Sequence, residues 1–330
     1  MSSALLSSSG VDTVSFAFRP VGSAWFEAVD GFRARPHRFG PAGALIADER
    51  GPDGGRLLCY PAFDVLAVET RLAALLALDS ECHDLAPARD LVEGERYARS
   101  ILGQRVGADV GRCEVRRVDL ASELRFGTSA EGLAFLRAVA GFVAPRQRAT
   151  NEVAVDGSVM THYARTAKRG VVHARIYDKG RESGSDPPGL RVRIESQNRP
   201  PKAKRYSPEV LASLDLTAMF GRTMQPYLHT EELTVAGPDG AVADIAALAV
   251  RGDITHARAE KLLGSIVLLK HGGRAVYDRG VSSRVENNKR SSRRLKALRD
   301  AGVTLSDELP SEAVVPVSAL LRDAISRFEA

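Results

Sequence analysis

The stretch VVHARIYDKGRE, residues 171–182, carries three groups that together could act on a phosphate ester. In an extended strand the side chains alternate between two faces, so Arg175, Tyr177 and Lys179 would share one face. The guanidinium and the ammonium could hold a phosphate, and the phenol could attack it as a nucleophile. A solvated strand face explains the same pattern, so other segments are needed to distinguish these interpretations.

Two further segments, residues 113–126 and 190–197, also alternate between apolar and charged side chains. Their polar faces carry Arg117, Asp119, Glu123, Arg125, Arg191, Arg193, Glu195 and Gln197. If the three segments are neighbours in one sheet, Asp119, Glu123 and Glu195 supply the oxygen ligands that Mg²⁺ or Mn²⁺ prefers. A wet sheet face, on which acids and arginines form cross-strand ion pairs, would show the same residues.

The runs RRVDLASEL, GVVHARIYDKGRE and PPGLRVRIESQ occur in this order between about residues 113 and 200. The ordered set resembles the trans-acting replication initiation factor family of rolling-circle plasmids and phages. That family has an Arg-x-Asp-x-Ala-x-Asp strand, a later Arg-Ile-Tyr-x-Lys strand and an Arg-x-Glu strand. The resemblance implies a metal-dependent enzyme that nicks and closes DNA in rolling-circle replication.

Carried over by position, the resemblance makes Tyr177 the nucleophile and makes Asp119 and Glu195 ligands of Mg²⁺ or Mn²⁺. Glu123 stands where the family has Asp. It is a third candidate ligand, with a longer side chain than Asp. A Gly-Ser-Arg element of the family is replaced here by THYARTAKRG, which makes Tyr163 a second candidate nucleophile.

Tyrosine chemistry explains the other residue types near Tyr177. A free phenol has a pKa of about 10, so Lys179 and a bound cation would be needed to stabilise the phenolate. Arg175 and Arg193 are candidate contacts to DNA phosphates. Attack on a phosphodiester would leave a 5′-phosphotyrosine link and a free 3′-hydroxyl, and the link would allow the strand to be rejoined without ATP.

The implied partners are replication-origin DNA, single-stranded or extruded as a hairpin, and a host helicase, with a homodimer as a further expectation. A conjugative relaxase on the same scaffold would use the same chemistry. Two further functions fit the same residues: a DNA-binding regulator that has lost catalysis, and a metal-dependent phosphodiesterase that uses water as its nucleophile.

Charge is concentrated near the carboxyl end of the sequence. The chain of 330 residues has a net charge of +5 and a pI of about 9.2. Between Arg284 and Arg299 there are seven basic residues and one acid, in a pattern that predicts a helix ending at Gly302. Candidate contacts to the DNA backbone are Arg290, Arg293, Arg294 and Lys296.

The element pattern predicts an α+β fold: a twisted, mainly antiparallel sheet with helices packed on one face. We expect a catalytic domain over residues 1–205. A smaller, basic and mostly helical domain of winged-helix-like form should follow over residues 206–330. Helices are predicted at 64–78 and 87–102, and a short hairpin at GPDG, residues 237–240.

Three cysteines at long spacings give no zinc motif, and reduced thiols are the simplest account of them. The amino-terminal residues lack the basic and apolar regions of a signal peptide, and no apolar run is long enough for a membrane span. The sequence therefore predicts a cytoplasmic protein.

Overall fold

The computed structural model describes most of the chain. The described residues are 5–21, 24–33, 36–40, 43–50, 55–79, 82, 84–107, 109–141, 147–154, 159–166, 172–200, 205–228, 233–278, 293–306, 309–311 and 313–327.

Ten strands form one large sheet in which every pair of neighbours is antiparallel. They are β1 Leu5–Pro20, β2 His37–Phe39, β3 Leu45–Arg50, β4 Arg56–Tyr60, β5 Val65–Arg71, β6 Val110–Arg125, β7 Gln147–Val153, β8 Val159–Thr166, β9 Val172–Asp178 and β10 Arg191–Asn198. Their order across the sheet is β2-β3-β4-β5-β1-β6-β10-β9-β8-β7. The earliest strand in the sequence, β1, therefore lies in the middle of the sheet.

The helices of the described part vary from one turn to six. They are α1 Ala24–Arg33, α2 Leu72–Ala77, α3 Leu91–Val106, α4 Ser129–Gly141, α5 Lys179–Ser183, α6 Pro208–Ala212, α7 Leu216–Leu228, α8 Pro238–Arg251, α9 His256–Asp278, α10 residues 293–299 and α11 Val317–Ser326. The start of α4 shows a capping box, in which the backbone N–H of Thr128 donates to Glu131 and that of Glu131 donates to the Thr128 hydroxyl.

The main core lies between one face of the large sheet and the helices. Inward-facing Phe16, Leu120, Ile176 and Ile194 are fully buried there, and Phe220 of α7 packs in the same cluster. Side chains that alternate with the inward-facing ones on β6, β9 and β10 are the polar residues of the three motifs. The predicted α+β fold, a large antiparallel sheet with helices on one face, is confirmed.

A second, smaller cluster is built around a three-stranded sheet. Its strands are β11 Thr234–Ala236, β12 Val303–Leu305 and β13 Val314–Pro316, with β11 in the middle. Apolar residues of α8, α9 and α10 surround it, whereas α6, α7 and α11 contribute to the main core. Residues on both sides of position 205 thus share the main core, and the division into domains 1–205 and 206–330 stays a prediction.

Two local predictions were wrong. Residues 64–78 were predicted as one helix, but 65–71 form β5, which is buried on both faces between β1 and β4. A strand buried on both faces loses its alternation and resembles a helix in sequence. The predicted hairpin at residues 237–240 is the start of α8, where Pro238 occupies the first turn because its missing N–H costs nothing there.

Within the described ranges, no helix combines the length and the apolar character that crossing a membrane requires. Cys59, Cys82 and Cys113 are free thiols.

Candidate active site

The three motif strands are adjacent, in the order β6-β10-β9. Arg193 of β10 lies opposite Glu123 on one side and Tyr177 on the other. Two residues further along β10, Glu195 lies opposite Arg175. The adjacency that the sequence interpretation required is confirmed, because the polar faces of the three strands form one continuous surface.

Tyr177 is surrounded by cations on this surface. Its side chain is 2% exposed, and the Arg175 guanidinium carbon lies 3.9 Å from the centre of its ring. The Lys179 ammonium lies 5.9 Å from the same centre. Burial, followed by the charges of Glu195 and Asp12, raises the pKa of the phenol well above its ordinary value. The phenol is therefore protonated at neutral pH and must lose its proton to become a nucleophile.

Lys179 reaches Tyr177 from a helix, not from the strand on which it was predicted. The strand ends at Asp178, whose carboxylate accepts hydrogen bonds from the backbone N–H of Arg181 at 3.0 Å and of Gly189 at 2.8 Å. This cap starts α5 at Lys179. The ammonium is buried, donates to Glu182 Oε2 at 2.6 Å, and has its pKa lowered by burial and by the charge of Arg193.

Asp119 and Glu195 are both buried on this face. Asp119 accepts hydrogen bonds from Arg117, one of them from Nε at 2.9 Å. Glu195 Oε1 accepts from Gln197 at 2.9 Å, while its Oε2 lies 3.6 Å from an Arg175 nitrogen and has no hydrogen-bond partner among the described residues. Burial and the charge of Glu195 raise the pKa of Asp119, and burial and the charge of Asp12 raise that of Glu195.

Arg193 and Glu123 form a separate buried ion pair. Arg193 is fully buried, and its Nε donates to Glu123 Oε1 at 2.8 Å. A second nitrogen of Arg193 donates to Asp12 of β1. Glu123 also lies 3.9 Å from Arg191. The predicted DNA contact and the predicted third metal ligand therefore bind each other in this structure.

The carboxylates of this face fit an open site for the divalent cation that the sequence implies. Among the described residues, no group of three or more His, Cys, Asp or Glu side chains could enclose a metal ion. Mg²⁺, however, is commonly held by one or two carboxylates together with water and substrate phosphates. The buried Oε2 of Glu195, which has no hydrogen bond among the described residues and lies beside Asp119, suits a site of that kind.

A cavity of about 360 Å³ opens over this surface. The described residues that line it are Asp12, Thr13, Arg56, Glu69, Thr70, Arg71, Arg117, Arg175, Tyr177, Lys179 and Glu182. Each of them carries a polar or charged group. Sequence reasoning found the members on β6 and β9 but missed those on β1, β4 and β5, because no motif marks them.

The remaining candidate site residues lie on other elements than Tyr177 or outside the described residues. Tyr163 of β8 is paired in register with Arg175 of β9, so it belongs to the neighbouring strand. Arg290 lies outside the described residues. Arg293 and Arg294 of α10 line a second cavity, of about 570 Å³, with two cations of α9, Arg258 and Lys261.

Lys296, the last of the predicted backbone contacts in α10, is exposed.

Comparison with known proteins gives a distant structural similarity. No protein-family model and no curated protein matches the chain. Among solved structures, it is similar to a rolling circle replication initiator protein from Geobacillus stearothermophilus, with 13% sequence identity and a TM-score of 0.35. The match covers 66% of this chain and 84% of the other. A similarity of this size assigns no activity.

Proposed function

We propose that this protein nicks and rejoins one DNA strand at a rolling-circle replication origin, with Tyr177 as the nucleophile. The observation that carries the proposal is the position of Tyr177 in a wholly polar cavity, against Arg175 and next to the strand that holds Glu195. A buried tyrosine among cations and carboxylates suits phosphoryl transfer, in which positioning and charge stabilisation supply most of the rate.

The proposed reaction exchanges one phosphoester for another. The phenol loses its proton, and its oxygen attacks the phosphorus of a DNA phosphodiester. The bond from phosphorus to the 3′-oxygen breaks, and that oxygen takes up a proton to become a free 3′-hydroxyl. The new bond to Tyr177 holds the 5′-phosphate, so the reverse attack by a 3′-hydroxyl reseals the strand without an energy source.

The cations around Tyr177 have separate tasks in this proposal. Arg175, in contact with the ring, offsets the negative charge that the phenolate and the phosphate develop. Lys179 lies close to the ring and has a lowered pKa. As an ammonium it is suited to stabilise the phenolate, and as a neutral amine, the form that the lowered pKa favours, it is suited to take up the phenol proton. Glu182 pairs with both Arg175 and Lys179 and holds them beside Tyr177.

Asp119 and Glu195 would hold a Mg²⁺ or Mn²⁺ ion next to the attacked phosphate. A bound ion would polarise the phosphate and offset its negative charge. The raised pKa values of the two carboxyls are the electrostatic signature of acids that a cation would stabilise in their charged form.

The proposal extends to the partners of the reaction. Origin DNA, single-stranded or extruded, is the substrate, and the basic α10 contacts its backbone outside the cavity. We further predict a host helicase that unwinds the duplex from the nick. A homodimer and a cytoplasmic location are also predictions.

The decisive experiment looks for protein attached to DNA. Purified protein is incubated with Mn²⁺ or Mg²⁺ and labelled single-stranded DNA from its own replicon, then run on a denaturing gel. We expect a protein-linked band with the wild type and with Tyr163→Phe, and no such band with Tyr177→Phe. A band lost only in Tyr163→Phe would make Tyr163 of β8 the nucleophile. Cleavage without a linked band would indicate attack by water, and tight binding without cleavage would indicate a regulator.

A further inference from the structure

The cavity at Tyr177 extends well beyond the three motif strands. Its far wall is formed by β4, β5 and part of β1, where Arg56 and Arg71 line it together with the hydroxyl side chains of Thr13 and Thr70. Neither arginine belongs to a sequence motif. The two arginines at the far end of the cavity take no part in the attack by Tyr177, so their presence needs another explanation.

Strand register places these groups in rows that cross the sheet. Arg56 lies opposite Glu69, Glu69 opposite Ser15, and Ser15 opposite Arg117. In the neighbouring row Arg71 lies opposite Thr13. With about 4.8 Å between adjacent strands, the five steps from β9 to β4 span about 24 Å. The polar surface is therefore elongated across the strands, with Tyr177 near one end and the two arginines at the other.

The cavity has an excess of positive charge. Each acid that lines it has a cationic partner: Asp12 binds Arg193, Glu69 lies 3.4 Å from Arg117, and Glu182 binds Lys179. Against these three acids, the described lining carries five cations: Arg56, Arg71, Arg117, Arg175 and Lys179. A cavity that is long, mostly polar and lined by more cations than acids is suited to a sugar-phosphate backbone.

We propose that Arg56 and Arg71 form a subsite for backbone phosphates several nucleotides away from the attacked one, so that the DNA strand runs across the sheet from β9 to β4. The subsite rests on the proposed function, which places the attacked phosphate at Tyr177. Arginine is suited to this task because its planar fork can bind phosphate oxygens through two parallel hydrogen bonds.

The test measures binding in the absence of cleavage. All proteins carry Tyr177→Phe, and the probe is a fluorescein-labelled oligothymidylate, titrated in Mg²⁺ at several salt concentrations. We expect Arg56→Gln and Arg71→Gln each to weaken binding about tenfold, as the loss of a charge-assisted hydrogen bond would. Each should also lower the slope of log affinity against log salt by about 0.7. Arg38→Gln, an exposed arginine of β2 outside the cavity, is the matched control.

A second probe tests the chemistry of recognition. The same oligothymidylate with uncharged methylphosphonate linkages should bind all variants equally weakly, because it has no charge for the arginines to neutralise. The subsite is overturned if the double variant Arg56→Gln/Arg71→Gln keeps the affinity and the salt slope of Arg38→Gln. Thermal unfolding of each variant establishes that the fold is retained.

The same proteins separate this inference from the proposed function. A wild type that forms no DNA-linked product, combined with weakened binding in the arginine variants, would refute the nicking reaction and support the phosphate subsite. A wild type that forms the linked product, combined with unchanged salt slopes in the variants, would refute the subsite and leave the nicking reaction standing.

Discussion

Arg175 connects three parts of the site through one guanidinium. Its carbon lies 3.9 Å from the centre of the Tyr177 ring, and its nitrogens lie 3.6 Å from Glu195 and 3.2 Å from Glu182. The tyrosine, the buried carboxylate and the α5 turn that carries Lys179 are thus held by a single side chain.

Arg175→Lys keeps the charge but loses the planar group that spans these three contacts. We expect the rate of DNA nicking to fall about tenfold, since a desolvated cation–aromatic contact is worth up to about 2 kcal/mol. Single-turnover cleavage is the measurement, and Arg125→Lys, an exposed arginine at the end of β6, is the control. Equal rates in the two variants would contradict the role of Arg175.

Glu195 should dominate binding of the divalent cation. Mn²⁺ at a hundred times its dissociation constant would stabilise the wild type by about 2.7 kcal/mol, which appears as a rise in melting temperature. Glu195→Gln should abolish that rise. Glu123→Gln should retain it, because Glu123 is engaged by Arg193. A rise lost equally in both variants would make Glu123 a ligand as well.

His162 should make stability depend on pH in weakly acidic solution. Burial lowers the pKa of this histidine to about 4, below its ordinary 6.5. The unfolded chain takes up a proton near pH 6.5 and the folded chain only near pH 4. The contribution of the neutral ring to the free energy of unfolding is therefore complete above about pH 6.5 and is lost as the pH falls towards 4. Urea unfolding of His162→Gln should show a smaller loss over this window, whereas exposed His256→Gln should match the wild type.

Arg193→Met should destabilise the fold by about 3–5 kcal/mol, because it leaves Glu123 and Asp12 buried without their cation. Urea unfolding measures the loss. Adding Asp12→Asn and Glu123→Gln to the same chain should recover part of it, since the uncompensated charges are then gone. Arg89→Met, at an exposed position, should have almost no effect.

Gly132→Ala should destabilise the loop that precedes β10. A Cβ at this position of α4 would lie 1.7 Å from the carbonyl oxygen of Gly189, whose own φ is +80°. The backbone must shift, at a cost of about 3 kcal/mol. Gly103→Ala provides the opposite control: its helix position is open, and alanine there should stabilise the protein by up to about 1 kcal/mol. A similar outcome for both variants would contradict the packing argument.

The sequence was informative where the two faces of a strand differ in polarity. Alternation predicted β6, β9 and β10 and the polar face of each, because one side of these strands packs on helices and the other forms the polar site. The start of α6 at Ser207 and Pro208 is also of a kind that sequence can show, since both residue types act locally at a helix terminus.

The site residues that the sequence did not reveal are brought in mainly by contacts between residues distant in the chain. Asp12 joins the site only because the bulged middle of β1 pairs with β6, roughly a hundred positions away. Arg56 and Arg71 line the cavity because β4 and β5 continue the same sheet. Lys179 is an exception, because a local cap, the Asp178 carboxylate, starts a helix where strand alternation predicted a strand. None of these relations leaves a periodic signal in the residues concerned.

The central position of β1 also determines how this chain can fold. Its main partner, β6, begins some ninety residues later, and the Ser122 hydroxyl of β6 donates to the Ala324 carbonyl of α11, 202 positions further on. Contacts so remote in sequence form slowly, because a long loop must close before any of them is gained. In a growing nascent chain, the part of the apolar underside of β1 and β6 that α11 covers would stay exposed until the last helix is made. The strand order therefore prolongs the stage of synthesis at which the chain is prone to aggregate.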